Sequence, residues 1–213
     1  MPAILVSCYD GYAHLWPGFR YYLKKYMEFN APVVLASVKG NASDGDPFFC
    51  DIATGQGEWS DRLICAIDGM EPSWRVFLML EDYWISKPWT QETWDRMCAT
   101  RGDAVRWDQH APLYKFVGNS NRYAQNSPYT ASLRPTMWKI ELLKRVLTPG
   151  ETAFETERFG SKRINKGPPH HISLEMWDGY ENVHKMERIK GRIQSWGYMT
   201  EKGKEMQSQI PTQ

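Results

Sequence analysis

Midway along the chain, Trp74-Arg75-Val76-Phe77-Leu78-Met79-Leu80 is the most strongly apolar run, and it stops abruptly at the acidic pair Glu81-Asp82. A run this short and dense reads as a strand buried on both faces, the kind found in a parallel sheet covered by helices. Carboxylates at the lip of such a strand are costly to bury unless a cation or a hydrogen-bond donor meets them. In an open parallel sheet, the carboxyl ends of the strands are also where ligands bind. The alternative is a pair of acids that caps the helix expected near Thr90 or simply faces water.

The amino terminus agrees with a layered α/β fold. Ala3-Ile4-Leu5-Val6-Ser7-Cys8 reads as a buried strand opening into the polar turn Tyr9-Asp10-Gly11-Tyr12. Leu15, Phe19, Tyr22, Leu23 and Tyr26 then recur at helical spacing, with Pro17 near the helix start, where its missing N–H costs little. Asn30-Ala31-Pro32 breaks the pattern, and Val33 to Val38 is a second buried strand. A β-α-β opening implies parallel strands joined by a right-handed crossover. The turn after the first strand and the pair after the Trp74–Leu80 strand would then share one edge of the sheet.

Further along, the pattern predicts a long loop over 40–57, an amphipathic helix from Glu58 to Met70, and a helix capped by Thr90. Short strands are expected at 104–107, 113–117 and 129–133, then a helix from Pro135 to Leu147 with Met137, Ile140, Leu143 and Leu147 on one side. A shorter acidic helix over 151–159 and a basic loop over 161–169 follow. The expected architecture is a mostly parallel, Rossmann-like sheet flanked by helices, in a single domain over 1–201 with a polar tail, 202–213, free to fray.

Charge narrows the function classes. The chain carries 26 Lys+Arg against 25 Asp+Glu, a net of +1, without the basic excess of a protein held to nucleic acid by charge alone. Its local basic runs, Lys162-Arg163 with Lys166 and Lys185 to Arg192, read first as solvated faces. No apolar run reaches the length of a membrane span, and the first ten residues lack the charged flank of a signal peptide. Cys8, Cys50, Cys65 and Cys98 form no CxxC pair, which points to reduced, buried thiols and a cytoplasmic protein.

Among lone candidates, His184 follows Asp178-Gly179-Tyr180 at a place where a late metal ligand could sit, although a lone His is more often structural. Trp84, Trp89 and Trp107 could stack on a sugar or a base, with core packing the commoner role for such residues.

Several segments, taken in order, resemble a bacterial and phage glycosyltransferase-like family. Trp59-Ser60-Asp61-Arg62-Leu63 is similar to its "WSD-L" helix opening, and Arg75 to Trp84 to the strand that follows, ending in an acidic pair and an aromatic residue. Tyr9-Asp10-Gly11-Tyr12 with Leu15-Trp16 resembles its first loop, Ser132 to Trp138 its "S-QP-IW" segment, Phe154 to Glu157 its "WEFE", and Lys190-Gly191-Arg192 its late "KGK". The resemblance implies a GT-A-like fold with a nucleoside-diphosphate-sugar donor at the strand ends and a divalent metal, Mn²⁺ or Mg²⁺. By that likeness Ser7, Asp10, Tyr12, Asp61 and Glu81 line the nucleotide site, Asp82 is the metal ligand with His184 a late one, and Lys190 and Arg192 meet the diphosphate. Glu155 or Glu157 is the general base that deprotonates an acceptor hydroxyl, with Glu155 preferred on chemistry. The acceptor implied is a hydroxymethylated base in DNA or a cell-envelope saccharide. The sequence departs from the family in carrying Glu81 for an aspartate, Ala153-Phe154 for an aromatic-first acidic segment, and Leu133-Arg134 where the family has a glutamine.

Two other readings use the same residues. Glycoside hydrolysis also needs paired carboxylates, set across a cleft and with no nucleotide site. A non-catalytic nucleic-acid or carbohydrate-binding module needs exposed aromatics and a basic groove, and no buried acidic pair.

Overall fold

The computed structural model describes residues 2–108, 130–168, 170–189 and 192–211, with the backbone alone at 185–189 and 192–197. The strands in chain order are β1 (Ala3–Ser7), β2 (Met27–Glu28), β3 (Val33–Ser37), β4 (Cys50–Ala53), β5 (Arg75–Leu80), β6 (Tyr83–Ile85), β7 (Trp89–Thr90), β8 (Ala104–Trp107), β9 (Thr136–Lys139), β10 (Ile172–Glu175), β11 (Tyr180–Asn182), β12 (His184–Ile189) and β13 (Arg192–Met199). The helices are α1 (Trp16–Tyr26), α2 (Trp59–Ile67), α3 (Gln91–Ala99), α4 (Ile140–Val146), α5 (Ala153–Lys166) and α6 (Glu201–Ser208), with a 3-10 turn at Asp10–Leu15 ahead of α1.

Seven strands form one sheet in the order β10-β8-β9-β5-β1-β3-β4, and all run parallel except β9, which is antiparallel to both β5 and β8. Period-two alternation divides the sheet between two cores. Ile4, Val6, Phe77, Met79, Val105 and Met137 face one side, against α1, α3 and a group of tryptophans, Trp84, Trp89, Trp94 and Trp177. Leu5, Val76, Leu78, Ala104 and Trp138 face the other, against α2, α4 and Ile164 of α5. Both faces of the central strands are therefore covered, which is why β5 reads as a continuous apolar run. Trp84, Trp89 and Trp107 are fully buried in this packing and present no stacking surface.

The structure differs from the sequence reading at several elements. The predicted Pro135–Leu147 helix splits: Thr136, Met137 and Trp138 fill the slot between β5 and β8 as β9, and α4 starts only at Ile140. All three are buried, so both faces are in use, which a one-sided helix could not achieve. The loop over 40–57 contains the edge strand β4, and α5 runs on to Lys166 through the expected basic loop. Of the expected strands, 113–117 lies outside the described residues, and 130–133 is not a strand. The polar segment after Thr200 forms α6, with Met206 buried and its carbonyl accepting from the Tyr22 hydroxyl at 2.6 Å. Of the four cysteines only Cys8 is buried; Cys50 lies on an edge strand and Cys65 on the outer face of α2, both exposed. Among the described residues no helix is long and apolar enough to cross a membrane.

Candidate functional site

The parallel strands β1, β3, β5 and β8 end on one edge of the sheet, and the antiparallel β9 begins there. Helix α2 precedes β5 and runs back against it, so its amino terminus lies at the same edge. The start of α5 is tied alongside: Ser60 N–H donates to the Glu151 carbonyl at 3.0 Å, and Glu151 N–H to Ser60 Oγ at 2.9 Å. Everything that follows is arranged on this carboxyl edge.

Glu81 and Asp82 turn out of β5 into the short link to β6. Their backbone is pinned from below, because the fully buried Trp84 donates its indole N–H to the Glu81 carbonyl at 3.2 Å, and Val183 N–H bonds the Asp82 carbonyl at 2.9 Å. Glu81 is 4% exposed, and its Oε1 accepts the Tyr9 N–H at 2.8 Å. Asp82 Oδ2 receives a long bond from Asn182 Nδ2, 3.4 Å, its own backbone N–H also favours the charged form, and Oδ1 is buried with no hydrogen-bond partner among the described residues. Burial, with Asp82 next to it, pushes the Glu81 carboxyl up to about 8, and burial pushes Asp82 up to about 7. Neither forms an ion pair among the described residues, so the pair is under-compensated where it stands.

The other sequence candidates fall into two sets. Tyr12 joins the acids: its pKa is raised by burial and then by Glu81 and Asp82. His184 is buried at the start of β12, its ring 4.5 Å from that of Tyr12 and 6.0 Å from that of His14. Burial pushes the His184 pKa down and His14 adds to the effect, so the imidazole is held neutral, the form that ligates a metal. Ser7 ends β1 beside Leu80, and Asp10 accepts the Val38 N–H at 3.0 Å, bracing the ends of β1 and β3.

Asp61 and Glu155 have other partners. Asp61 closes the capping box of α2 by accepting the Glu58 N–H at 2.9 Å, and its second oxygen accepts the Gly150 N–H at 3.0 Å. Glu155 closes the box of α5 through Thr152, whose N–H and hydroxyl both donate to Oε2, at 3.0 and 2.9 Å. Those bonds lower its pKa. Glu157 instead accepts from Leu133 N–H at 2.8 Å and Ser132 Oγ at 3.2 Å, just ahead of β9 on the carboxyl edge. Lys190 lies outside the described residues, and Arg192 opens β13 among those described by backbone alone.

Sequence reasoning missed three residues here. Arg62 is 7% exposed, lies over the Tyr9 ring at 5.1 Å, and lowers the Glu81 pKa through its charge. Its signal was readable, since it occupies an inward position of the Trp59, Leu63, Ala66, Ile67 stripe, where an arginine is out of place. Tyr9 is 42% exposed and meets Tyr12 edge to face at 5.3 Å. Asn182 reaches Asp82 from β11, a hundred residues away in sequence, and nothing local marks it. On the same edge, Asp108 beyond β8 is fully buried and bonded by Arg134 Nη1 at 2.6 Å.

A hard divalent cation fits the acids. It takes carboxylate oxygens, and the orphaned Asp82 Oδ1 is one. Among the described residues no three His, Cys, Asp or Glu side chains converge as a ready-made cage. A two-carboxylate site of this kind suits a cation that keeps waters or phosphate oxygens as its remaining ligands.

No protein-family model and no curated protein matches the chain. Among solved structures it is similar to the crystal structure of residues 1–349 of S. aureus TarS in complex with UDP-GlcNAc, with a TM-score of 0.60 and 16% identity over 97% of this chain and 64% of that one. The structure of the same TarS segment in complex with UDP gives a TM-score of 0.56 and 14% identity, covering 84% of this chain and 59% of that one. The chain thus spans less than two thirds of the length of the TarS segment it matches. The likeness establishes the fold, a mixed α/β architecture whose mostly parallel sheet is flanked by helices as in TarS.

Proposed function

We propose that the chain is a glycosyltransferase that moves a sugar, hexose or pentose, from a nucleoside-diphosphate donor to an acceptor hydroxyl at the carboxyl edge of its sheet. The observation that carries this reading is the under-compensated pair Glu81–Asp82, with Asp82 Oδ1 buried and unpartnered. That the similar TarS segment was crystallised with UDP-GlcNAc and with UDP supports a nucleotide-sugar donor. Asp82 would hold a divalent cation, with Glu81 beside it; His184 lies against Tyr12 and does not converge with the two acids as a third ligand. When bound, that cation would offset the charge that grows on the leaving diphosphate.

The remaining roles are divided among the chain's own side chains. Tyr9 and Tyr12 form an aromatic wall next to the acids, suited to a flat base. Arg62 supplies positive charge toward the phosphates, and the same role is proposed for Lys190 and Arg192 on the resemblance alone. Both glutamates of α5 accept hydrogen bonds near the carboxyl edge, Glu155 in its helix cap and Glu157 from Leu133 and Ser132; the lowered basicity of Glu155 favours Glu157 as the base. For the acceptor, an envelope saccharide is preferred to DNA. Of the basic run on α5, Arg163 is paired with Glu151 at 2.6 Å and is not free to meet a phosphate backbone.

A thermal-shift series with UDP-GlcNAc and other nucleotide sugars, with and without Mn²⁺, tests the reading. Stabilisation by one nucleoside diphosphate family, larger with Mn²⁺ and lost in Asp82→Ala, is the expected result. Absence of any shift with every donor, in the presence of metal, would remove the proposal. DNA binding that falls steeply with salt would reinstate DNA as the acceptor.

A further inference from the structure

At the opposite, amino edge of the sheet, an open cavity of about 330 Å³ is lined by Arg75, Thr100, Arg101, Asp103, Lys139 and His171, among others. It lies at the far end of β5 from Glu81, roughly 20 Å away at the rise of a strand, so it is separate from the transfer edge. Its charges do not balance. Asp103 is the one carboxylate in the lining and is already engaged: Oδ1 accepts Lys139 Nζ at 2.6 Å, Oδ2 accepts the His171 N–H at 2.9 Å, and His170 Nδ1 lies 3.7 Å off.

Arg75 and Arg101 are then left without an ion pair among the described residues. Arg75 is the inner of the two, and its Nη1 donates to the Cys98 and Thr100 carbonyls, both at 3.0 Å, at the end of α3. That fixes the guanidinium, while Nε and Nη2 are buried and have no acceptor among the described residues. Nε and Nη2 together form one edge of the arginine fork, the geometry that grips a carboxylate or phosphate with two parallel bonds. Lys139 is half exposed and Arg101 is exposed, which puts two cations at the mouth, where an incoming anion meets them first.

The geometry points to an oxyanion site at the amino edge, in which Arg101 and Lys139 take a phosphate group, free or borne on a larger molecule, above the partly buried Arg75, whose Nε and Nη2 have no acceptor among the described residues. The bound anion adds countercharge where the single carboxylate of Asp103 faces Arg75, Arg101 and Lys139. Arg75, fixed by its bonds to the Cys98 and Thr100 carbonyls, adds positive charge beneath the anion, while the direct contacts come from Arg101 and Lys139.

The test is a calorimetric titration of the intact protein with inorganic phosphate and with glycerol phosphate, at constant ionic strength set by chloride and with a chelator present. Saturable binding at a single site is expected, weakened about tenfold or more in Arg101→Glu and largely retained in Arg101→Lys. Arg101 is exposed, so these variants keep the fold. The double variant Glu81→Gln, Asp82→Asn should bind phosphate as the wild type does, because it changes only the other edge. Equal affinity for both probes marks the ligand as a group on a larger molecule, and preference for inorganic phosphate marks the free ion. No saturable binding, no loss in Arg101→Glu, or a loss in the Glu81, Asp82 variant overturns the site.

Discussion

Asp82 is held where a carboxylate is least comfortable, and its neighbours relieve it with one long hydrogen bond. This sets stability against function at a single residue. Asp82→Asn removes a buried charge while keeping shape, and at pH 8 without metal it should stabilise the protein by about 1–3 kcal/mol, as measured by urea denaturation. The same change should lower turnover by roughly a hundredfold or more. The pH dependence follows from the raised values of Glu81, about 8, and Asp82, about 7. In the unfolded chain both lose their protons in the usual carboxylate range, whereas the folded protein keeps them, so its stability is greatest in acid and declines as pH rises through 7 to 8. Mn²⁺ should flatten that decline, because a bound cation favours the ionised form; melting temperatures across pH 5 to 9 with and without metal check this. The two glutamates of α5 separate in the same way. Glu155→Gln should lower the melting temperature slightly and leave turnover near normal, and Glu157→Gln should cost about two to four orders of magnitude in kcat with KM for the donor unchanged. Of these residues, the acidic pair was legible because a polar break in so apolar a strand has few innocent explanations. Asn182 was not, because its partner is a hundred residues away and comes near only through the fold.

At the scale of elements, α1 comes very close to the strand that follows the acidic turn. A Cβ built on Gly18 would overlap the ring of Trp84, the residue whose indole N–H holds the Glu81 carbonyl. Gly18→Ala should therefore destabilise the protein by about 1–3 kcal/mol through overpacking, although alanine is the better helix former. It should also weaken donor-induced stabilisation, since the displaced ring supports the acidic turn; Trp84→Phe, which removes the N–H and leaves a smaller ring in a fully buried site, should show both effects too. The helix itself was readable from its stripe, and so were β1, β3, β5 and the Thr90 cap of α3, because each carries its period or cap in its own residues. β9 was hidden for a physical reason. Four residues are too few to display a period, Met137 also fits the helical stripe of α4, and what makes them a strand is the empty slot between β5 and β8. α5 was cut short because Gly160 and Ser161 look like punctuation, yet both are buried at close contacts: a Cβ on Gly160 would press on Val146, and Ser161 bonds the Ala131 N–H at 3.0 Å.

Across the whole molecule, the two ends of the chain meet behind the acidic turn. α6 packs its Met206 onto α1, where the Tyr22 hydroxyl bonds the Met206 carbonyl. Gly203 lies so near the Val183 carbonyl that an added Cβ would press on it, and Thr200 N–H donates to that carbonyl at 2.8 Å. Val183 N–H in turn holds the Asp82 carbonyl, and its neighbours Asn182 and His184 reach the site directly. No periodic apolar stripe announces this helix in the sequence, only Met206 among polar residues, so its importance comes from where it docks. Ending the chain after Thr200 should remove roughly 2–4 kcal/mol of stability, about that of emptying one buried methionine site and its surroundings, and lower the melting temperature by several degrees. Met206→Ala in the full chain should account for most of that loss. If α6 also supports the site, the truncated protein will show a weaker shift with UDP-GlcNAc and Mn²⁺ than Met206→Ala does at matched stability, because only truncation removes the close packing of Gly203 on Val183. Equal shifts in the two variants would make α6 a stabilising element alone, with the segment from Asn182 to His184 held by β11 and β12 without it.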